Sequence, residues 1–116
     1  TAGKEMTLDN LIFPIGKAKI DVNSYPDLNS VVKMLQDNPN MVVQLEGHTD
    51  FKGDPKANMK LSQERVDAVK DYLLSKGVSK HRVRTKAYGG TMPLAHGDTE
   101  ESHVMNRRVV LRILQN

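Results

Sequence analysis

Four segments of the chain have the apolar pattern of β-strands. Residues 41–48, 83–87 and 109–113 carry apolar side chains at alternate positions, which gives each segment one apolar face. The fourth segment is the short apolar run Leu11–Phe13, which is interrupted by Pro14. This run predicts a strand that enters a loop.

Two segments between these strands have helical spacing. Asn23 or Ser24 can cap the first helix, which is predicted to end at Asn38–Asn40. Ser62 is the expected N-cap of the second helix, and Gly77 follows as its C-terminal stop. The apolar stripes consist of Leu28, Val31, Val32 and Leu35 in the first helix and of Ala68, Val69, Tyr72 and Leu73 in the second.

The order of these elements predicts an α/β (α+β) two-layer sandwich. The order is strand, helix, strand, helix, strand, strand, and a long polar loop, residues 89–105, separates the last two strands. Strands joined by a helical crossover are normally parallel, whereas the last two strands have no helix between them and are expected to pair antiparallel. We therefore expect a mixed four-stranded sheet with both helices on one face. The whole chain, residues 1–116, is expected to form a single domain.

The composition excludes several classes of protein. The chain has no cysteine, which removes disulfides, thiolate zinc sites and cysteine nucleophiles. The net charge of +3 suits an anionic partner, but acidic and basic residues alternate and no Trp is available to stack on bases, so nucleic acid is not an expected partner. No stretch approaches the roughly 20 apolar residues of a membrane-spanning helix. No signal peptide opens the sequence, which leaves a cytosolic protein or a processed or excised fragment.

Two residues of opposite charge are predicted to lie at one edge of the sheet. Asp50 follows the strand that ends near His48, and Arg65 is the third helical residue if Ser62 is the cap. Arg65 also falls within the apolar stripe, where a guanidinium needs a partner. Free N–H groups at the helix start would attract a carboxylate, and Asp50 would attract an ammonium group. The pair predicts a pocket for a zwitterion; alternatively, the two side chains form a structural ion pair.

A longer series of residues around this pair resembles the signature of the OmpA C-terminal domain family. The resemblance extends from Leu11 to Leu114, with matching gaps between its fixed points, and is therefore specific. The fixed points are the run Gly47-His48-Thr49-Asp50, the residues Gly53, Asn58, Leu61, Ser62, Arg65, Val69, Leu73 and Gly77, and the run Asn106-Arg107-Arg108-Val109.

The resemblance implies a non-catalytic, periplasmic domain that binds peptidoglycan without a cofactor or a metal. In the family, an aspartate holds the ammonium and an arginine the carboxylate of the diaminopimelate residue in uncrosslinked stem peptides. Asp50 and Arg65 match these two positions. The positions that line or border the same pocket are matched by Thr49, Asn58, Leu61 and Arg107 or Arg108.

The resemblance also implies that the chain is a fragment of a longer envelope protein. A region outside the chain would attach that protein to the outer membrane or, less expectedly, to the inner membrane, and the domain would anchor the membrane or an envelope complex to the cell wall. A β-barrel porin, a lipoprotein and a flagellar stator all remain open as the parent protein.

Two positions depart from the family pattern. Pro14 stands where the family often has an acidic residue after the first strand, and Gly90 replaces a glutamate that often follows the third strand. The first difference concerns the near wall of the implied pocket. The second concerns a loop contact.

The alternative to a binding domain is a cell-wall hydrolase or another metal-dependent enzyme that uses Asp50 as a base or a ligand. His48, His96 and His103 are conceivable ligands beside Asp50, but their spacing matches no short zinc motif. Ser62 has no histidine placed by local sequence to activate it as a nucleophile. We therefore expect a binding domain.

Overall fold

The regular elements alternate between helices and strands along most of the chain. The computed structural model describes residues 5–7, 13, 18–93, 99, 101 and 106–115. The strands are β1 (Glu5–Thr7), β2 (Val42–His48), β3 (Val83–Gly89) and β4 (Val109–Gln115); the helices are α1 (Tyr25–Asp37) and α2 (Pro55–Ser75), with short 3₁₀ helices at Val22–Ser24 and Lys80–Arg82.

The sheet is mixed, and its strand order is β1-β4-β2-β3. The strands β2 and β3, joined through α2, are parallel, with Leu45 opposite Thr85. The expected pairing of the last two strands is wrong, because β4 lies antiparallel between β2 and β1 and does not pair with β3. The connection of residues 90–108 is long enough to carry the chain past β2 before β4 begins.

Among the described residues, the strand at the start of the chain lies before the predicted run Leu11–Phe13. The first strand is the three-residue β1, at the edge of the sheet, whereas the other three strands have seven residues each. Phe13 lies outside any strand, and its side chain is buried in the core. The rest of the predicted run, Leu11 and Ile12, lies outside the described residues. A short apolar run thus indicated a buried residue, but it did not identify the secondary structure.

One apolar core lies between the helices and a single face of the sheet. The predicted stripe of α1 is buried throughout, and the alternating residues of β2 and β4 face it. This arrangement confirms an α+β fold with a mixed sheet and two helices. The core residues from these elements are Leu28, Val31, Val32 and Leu35 of α1, Val66, Val69 and Leu73 of α2, and Val43, Leu45, Val83, Val109, Leu111 and Ile113 of the sheet.

The second helix begins eight residues earlier than the sequence predicts. Its N-cap is Asp54, whose carboxylate accepts from the N–H groups of Lys56 and Ala57, each at 3.3 Å, and Pro55 follows in the first turn. The first two turns are largely exposed and therefore carry no apolar periodicity. The prediction of Ser62 as the N-cap is wrong, because Ser62 lies about two turns inside the helix.

Ser62 and Gly47 bring α2 close to the ends of two strands. The Ser62 hydroxyl donates to the Met59 carbonyl (2.8 Å) and accepts from the N–H of Gly89 (3.0 Å), which ends β3. A Cβ atom at Gly47 would lie 2.5 Å from the Ser62 carbonyl oxygen and 2.8 Å from a methyl of Val66. Because glycine has no Cβ atom, the backbone of α2 can lie directly on β2 at this position.

Arg82 joins the end of α1 to the start of the sheet. Its guanidinium donates to the carbonyl oxygens of Leu35 (2.6 Å), Asn38 (2.7 Å) and Met41 (3.0 Å). A cation at this place also interacts favourably with the negative end of the helix dipole. One side chain thus satisfies carbonyl groups at the C-terminus of α1 and at the entry to β2.

We expect Arg82→Gln to lower the free energy of unfolding by about 1–3 kcal/mol, because the three carbonyl groups lose a charged donor. Arg84→Gln is the matched control, since Arg84 is exposed on β3 two residues away; its effect should stay within about 0.5 kcal/mol. Urea unfolding of both variants measures the difference. Equal stability of the two variants would contradict the role given to Arg82.

Candidate ligand-binding site

The loop that carries Asp50 begins where β2 ends. The N–H of Thr49 donates to the Gly89 carbonyl (2.8 Å), which continues the pairing with β3 one residue beyond β2. Thr49 is buried, and its hydroxyl donates to the Asp50 carbonyl (3.0 Å). The sequence placed Asp50 at this edge of the sheet, and the structure does so too. Thr49 holds the backbone of this loop through its two hydrogen bonds.

The Asp50 carboxylate is oriented by its neighbours. Its Oδ1 atom accepts from the N–H of Phe51 at 2.9 Å and from the side-chain amide of Asn106 at 3.4 Å. The residue is only partly buried. A carboxylate that is fixed in direction and still reached by solvent is suited to bind a cationic group of a ligand.

Asn106 is a site residue that the sequence-based site prediction omitted. It is 0% exposed and precedes β4, in which Val109 lies opposite Gly47 of β2. Because β2 and β4 are antiparallel, the residues just before β4 meet those just after β2. Asn106 was noted only within the resemblance; the signal that could have identified it is this long-range pairing, which local spacing does not contain.

Asn58 closes the loop from the side of α2. Its amide group donates to the carbonyl oxygens of Lys52 (2.9 Å) and Asp50 (3.3 Å). Leu61 lies on the same helix and is partly buried. Both residues were predicted to line the pocket. Asn58 holds the backbone of the loop that carries the carboxylate.

Arg65 is buried inside α2. It is 1% exposed, and its guanidinium carbon lies 5.1 Å from the centroid of the Phe13 ring. Burial and the nearby charge of Arg107 lower the pKa of Arg65 to about 10. The expected helix start beside Arg65 is wrong: the residue lies about three turns from Pro55, and the N-terminal N–H groups at that end are capped by Asp54. The helix dipole therefore gives no support to an anion at Arg65.

The two arginines predicted at the border have different positions. Arg107 is close enough to Arg65 for its charge to affect the pKa of that residue. Arg108 donates to the Met92 carbonyl at 3.1 Å, and its own carbonyl accepts from the N–H of His48 at 3.0 Å. Arg107 thus adds positive charge beside Arg65, and Arg108 holds the segment that follows β3.

Gly90 packs directly against the Asp50 loop. A Cβ atom at this position would overlap the Asp50 carbonyl oxygen and would lie 2.8 Å from the Cα atom of Phe51. The glutamate that the family often has here would therefore require the loop to move. The other departure, Pro14, lies outside the described residues.

The metal-dependent alternative finds no cluster in the part of the chain that the structure describes. No group of three or more His, Asp or Glu side chains there could hold a metal ion. His48 is buried and stacks on the Tyr88 ring, with centroids 5.0 Å apart. His96 and His103 lie outside the described residues.

Among the described helices, none is long and apolar enough to cross a membrane.

The chain is a small α+β domain with a group of polar residues at the C-terminal end of β2. Residues 12–107 match the model of the OmpA family. The match covers most of the chain, and the chain therefore belongs to the OmpA family.

Known proteins with similar sequences include envelope proteins of bacteria. The chain is 40% identical over 103 residues to the peptidoglycan-associated lipoprotein of Buchnera aphidicola, covering 89% of this chain and 60% of the relative. It is 38% identical over 98 residues to outer membrane porin F of Pseudomonas aeruginosa, covering 84% of this chain and 28% of the porin. The chain thus spans less than two thirds of either relative.

Solved structures share the fold. The peptidoglycan-associated lipoprotein from Burkholderia pseudomallei superposes with a TM-score of 0.82 at 24% identity, covering 91% of this chain and 88% of the other. The cell wall anchor of the type VI secretion system from Pseudomonas aeruginosa gives a TM-score of 0.79 at 24% identity, covering 97% and 80%. At this identity the likeness shows the same fold.

The contact between Asp50 and Asn106 predicts a pH-dependent effect of Asn106→Asp. The variant places two carboxylates side by side, which should lower the free energy of unfolding at pH 7 by about 2 kcal/mol. A like charge raises the pKa of a carboxyl in the folded state, so the loss should shrink as the pH falls and one group becomes protonated. Thermal unfolding between pH 4 and 7 measures this.

Asn40→Asp is the control for this prediction, because Asn40 is exposed in the turn before β2. Its effect on stability should be small and should not depend on pH in this way. If Asn106→Asp behaves like Asn40→Asp, the side chains of Asp50 and Asn106 are not in contact.

Proposed function

We propose that the chain is a non-catalytic domain that binds peptidoglycan non-covalently, through the diaminopimelate residue of uncrosslinked stem peptides. Asp50 binds the ammonium group of the free amino-acid centre, and Arg65 binds its carboxylate. The oriented and partly exposed carboxylate of Asp50 is the observation that carries this proposal. Membership of the OmpA family supports it.

The electrostatics of Arg65 favour an anionic ligand. Burial and the charge of Arg107 both oppose the charged form of the guanidinium, and a pKa of about 10 still leaves it protonated at neutral pH. A ligand carboxylate would relieve the repulsion between the two cations, and the planar fork of donors suits a carboxylate. The position of Arg65 inside α2 excludes a contribution from the helix start, so the preference for an anion comes from the two arginine side chains.

The remaining predicted residues support this pair. Thr49 and Asn58 hold the backbone of the Asp50 loop through the hydrogen bonds described above. Leu61, partly buried on α2, offers an apolar surface beside the ligand. Arg107 strengthens the positive potential at Arg65, and Arg108 fixes the segment after β3.

The chain is proposed to be one part of a longer envelope protein. Its relatives include a peptidoglycan-associated lipoprotein and an outer membrane porin, and the chain covers 60% and 28% of their lengths. In that setting the domain lies in the periplasm and anchors the outer membrane or an envelope complex to the cell wall. The membrane attachment belongs to a region outside this chain.

A hydrolase would need a second catalytic group beside Asp50. Two polar groups that contact its carboxylate are the backbone N–H of Phe51 and the Asn106 amide, and neither is a base or a nucleophile. The two functions differ in turnover. A binding domain leaves muropeptides intact after long incubation, whereas a hydrolase releases products.

The domain should bind stem peptides that contain meso-diaminopimelate and discriminate against those with lysine. Lysine keeps the ammonium group but lacks the second carboxylate, so the contact with Arg65 is lost. We expect the two affinities to differ by at least about 30-fold, which corresponds to the free energy lost when a buried charge loses its partner. Calorimetry with matched tripeptides measures it. Equal affinity for both peptides would show that the ligand is not held at two points.

Asp50→Asn and Arg65→Gln should each abolish detectable binding to peptidoglycan while the domain remains folded. Each variant leaves one charge of the ligand without its partner, which costs about 2–5 kcal/mol. Because both residues serve one ligand, the double variant should lose little more than either single variant. Pull-down with purified sacculi measures binding, and circular dichroism checks folding.

Matched controls for these variants are available on exposed surface. Asp67→Asn on α2 and Arg84→Gln on β3 change the same chemical groups away from the site and should bind like the wild type. Retained binding by a folded Asp50→Asn or Arg65→Gln variant would refute the assignment of the site. If the two residues instead serve only as a structural ion pair, the single variants lose stability and the double variant recovers part of it.

A further inference from the structure

The pairing of β2 with β3 becomes irregular directly before the loop that carries the carboxylate. Gly47 lies opposite Ala87, but the next residue of β2, His48, lies opposite Gly89. Tyr88 is therefore an extra residue in β3, and Gly89 has a positive φ of 58°. We call Tyr88 and Gly89 the β3 bulge. A bulge beside a functional site changes the direction in which the neighbouring residues leave the sheet.

The β3 bulge is held by α2 on one side. The N–H of Gly89 donates to the Ser62 hydroxyl at 3.0 Å. The same hydroxyl donates its proton to the Met59 carbonyl at 2.8 Å, so its oxygen is left to accept from β3. Ser62 is 0% exposed. Because a buried N–H that loses its acceptor is costly, the Ser62 hydroxyl stabilises this particular position of the β3 bulge.

The β3 bulge holds the Asp50 loop on its other side. The carbonyl of Gly89 accepts from the N–H of Thr49 at 2.8 Å, and the Thr49 hydroxyl donates to the Asp50 carbonyl at 3.0 Å. Gly90 follows and packs closely on the loop, since a Cβ atom there would lie 2.8 Å from the Phe51 Cα. The two backbone polar groups of Gly89 thus join α2 to the loop. A shift of the bulge moves Thr49 and Asp50 with it.

We propose that Ser62 is a positioning residue for the Asp50 carboxylate. It acts on the loop through Gly89 and Thr49 and does not touch the ligand. This inference rests on the proposed function, in which Asp50 binds an ammonium group and Arg65 a carboxylate. Arg65 lies three residues after Ser62 on the same helix. The bond from Ser62 to the bulge therefore sets the position of the ammonium-binding group relative to the helix that carries the carboxylate-binding group.

The test combines one protein variant with three stem peptides. The first peptide contains diaminopimelate, the second contains lysine and lacks the distal carboxylate, and the third contains 2-aminopimelate, which keeps that carboxylate but lacks the ammonium group. Ser62→Ala removes the acceptor for Gly89 and releases the loop. Its affinity for the diaminopimelate peptide should fall about three- to tenfold, the effect of one lost hydrogen bond. NMR titration measures all three affinities.

The ratios of these affinities separate positioning from a general loss of binding. The preference for diaminopimelate over 2-aminopimelate reports on Asp50, and in Ser62→Ala it should shrink by the same factor of about three to ten. The preference for diaminopimelate over lysine reports on Arg65 and should stay as in the wild type, because α2 itself is not displaced. A purely structural role of Ser62 changes neither ratio in a folded protein.

A second variant and two controls accompany Ser62→Ala. Ser62→Cys keeps the size of the side chain, and a thiol is a weak acceptor, so the first ratio should shrink by a smaller factor. Ser75→Ala is the matched control, because the Ser75 hydroxyl also donates to the carbonyl three residues before it but is exposed at the end of α2. Arg82→Gln loses stability at the opposite end of β3 and should keep both ratios.

Circular dichroism checks that each variant is folded, and Ser62→Cys decides by the same ratios if Ser62→Ala does not fold. Two results overturn the inference while the proposed function stands: a folded Ser62 variant that binds the diaminopimelate peptide like the wild type, and one that loses affinity for all three peptides by the same factor. A wild-type chain that does not distinguish the three peptides overturns the proposed function and, with it, this inference.

Discussion

The direct contact between α2 and the ends of β2 and β3 is the constraint on which the site depends. Gly47 leaves room for the helix backbone, and Ser62 bridges that helix to Gly89 with a buried hydroxyl. Without this close approach, Asn58 could not reach the carbonyl groups of the Asp50 loop from its place on α2. Two small residues in the interior thus determine the geometry of polar groups at the surface.

A second constraint is the cost of placing Arg65 inside this packed layer. The residue lies in the apolar stripe of α2 and is buried, yet it remains a cation at neutral pH with another arginine close enough to oppose its charge. Burial of the charged guanidinium carries a desolvation cost. A buried charge of this kind often occurs at a binding site. A ligand carboxylate would offset part of the desolvation cost of Arg65.

The sequence predicted the features that follow from the local spacing of apolar residues. The alternation in residues 41–48 identified β2, and with it the position of Asp50 at the edge of the sheet. The start of α2 was missed, because its first turns are exposed and polar and because Ser62 resembles a cap as closely as Asp54 does. The insertion of β4 beside β2, which brings Asn106 to Asp50, depends on pairing between distant segments, and no local pattern contains it.

Gly90 shows how one departure from the family pattern can change more than a loop contact. Its backbone fills the space against Asp50 and Phe51 that a side chain would need, so the loop lies tight against the turn after β3. An acidic side chain at this position would also add negative charge next to Asp50. That charge would attract the ammonium group of the proposed ligand and repel its carboxylate. With glycine there, no acidic side chain is added beside Asp50, and Arg65 and Arg107 are close enough for the charge of one to affect the other. In the proposed site, the absence of this second carboxylate would favour a zwitterion over a simple cation.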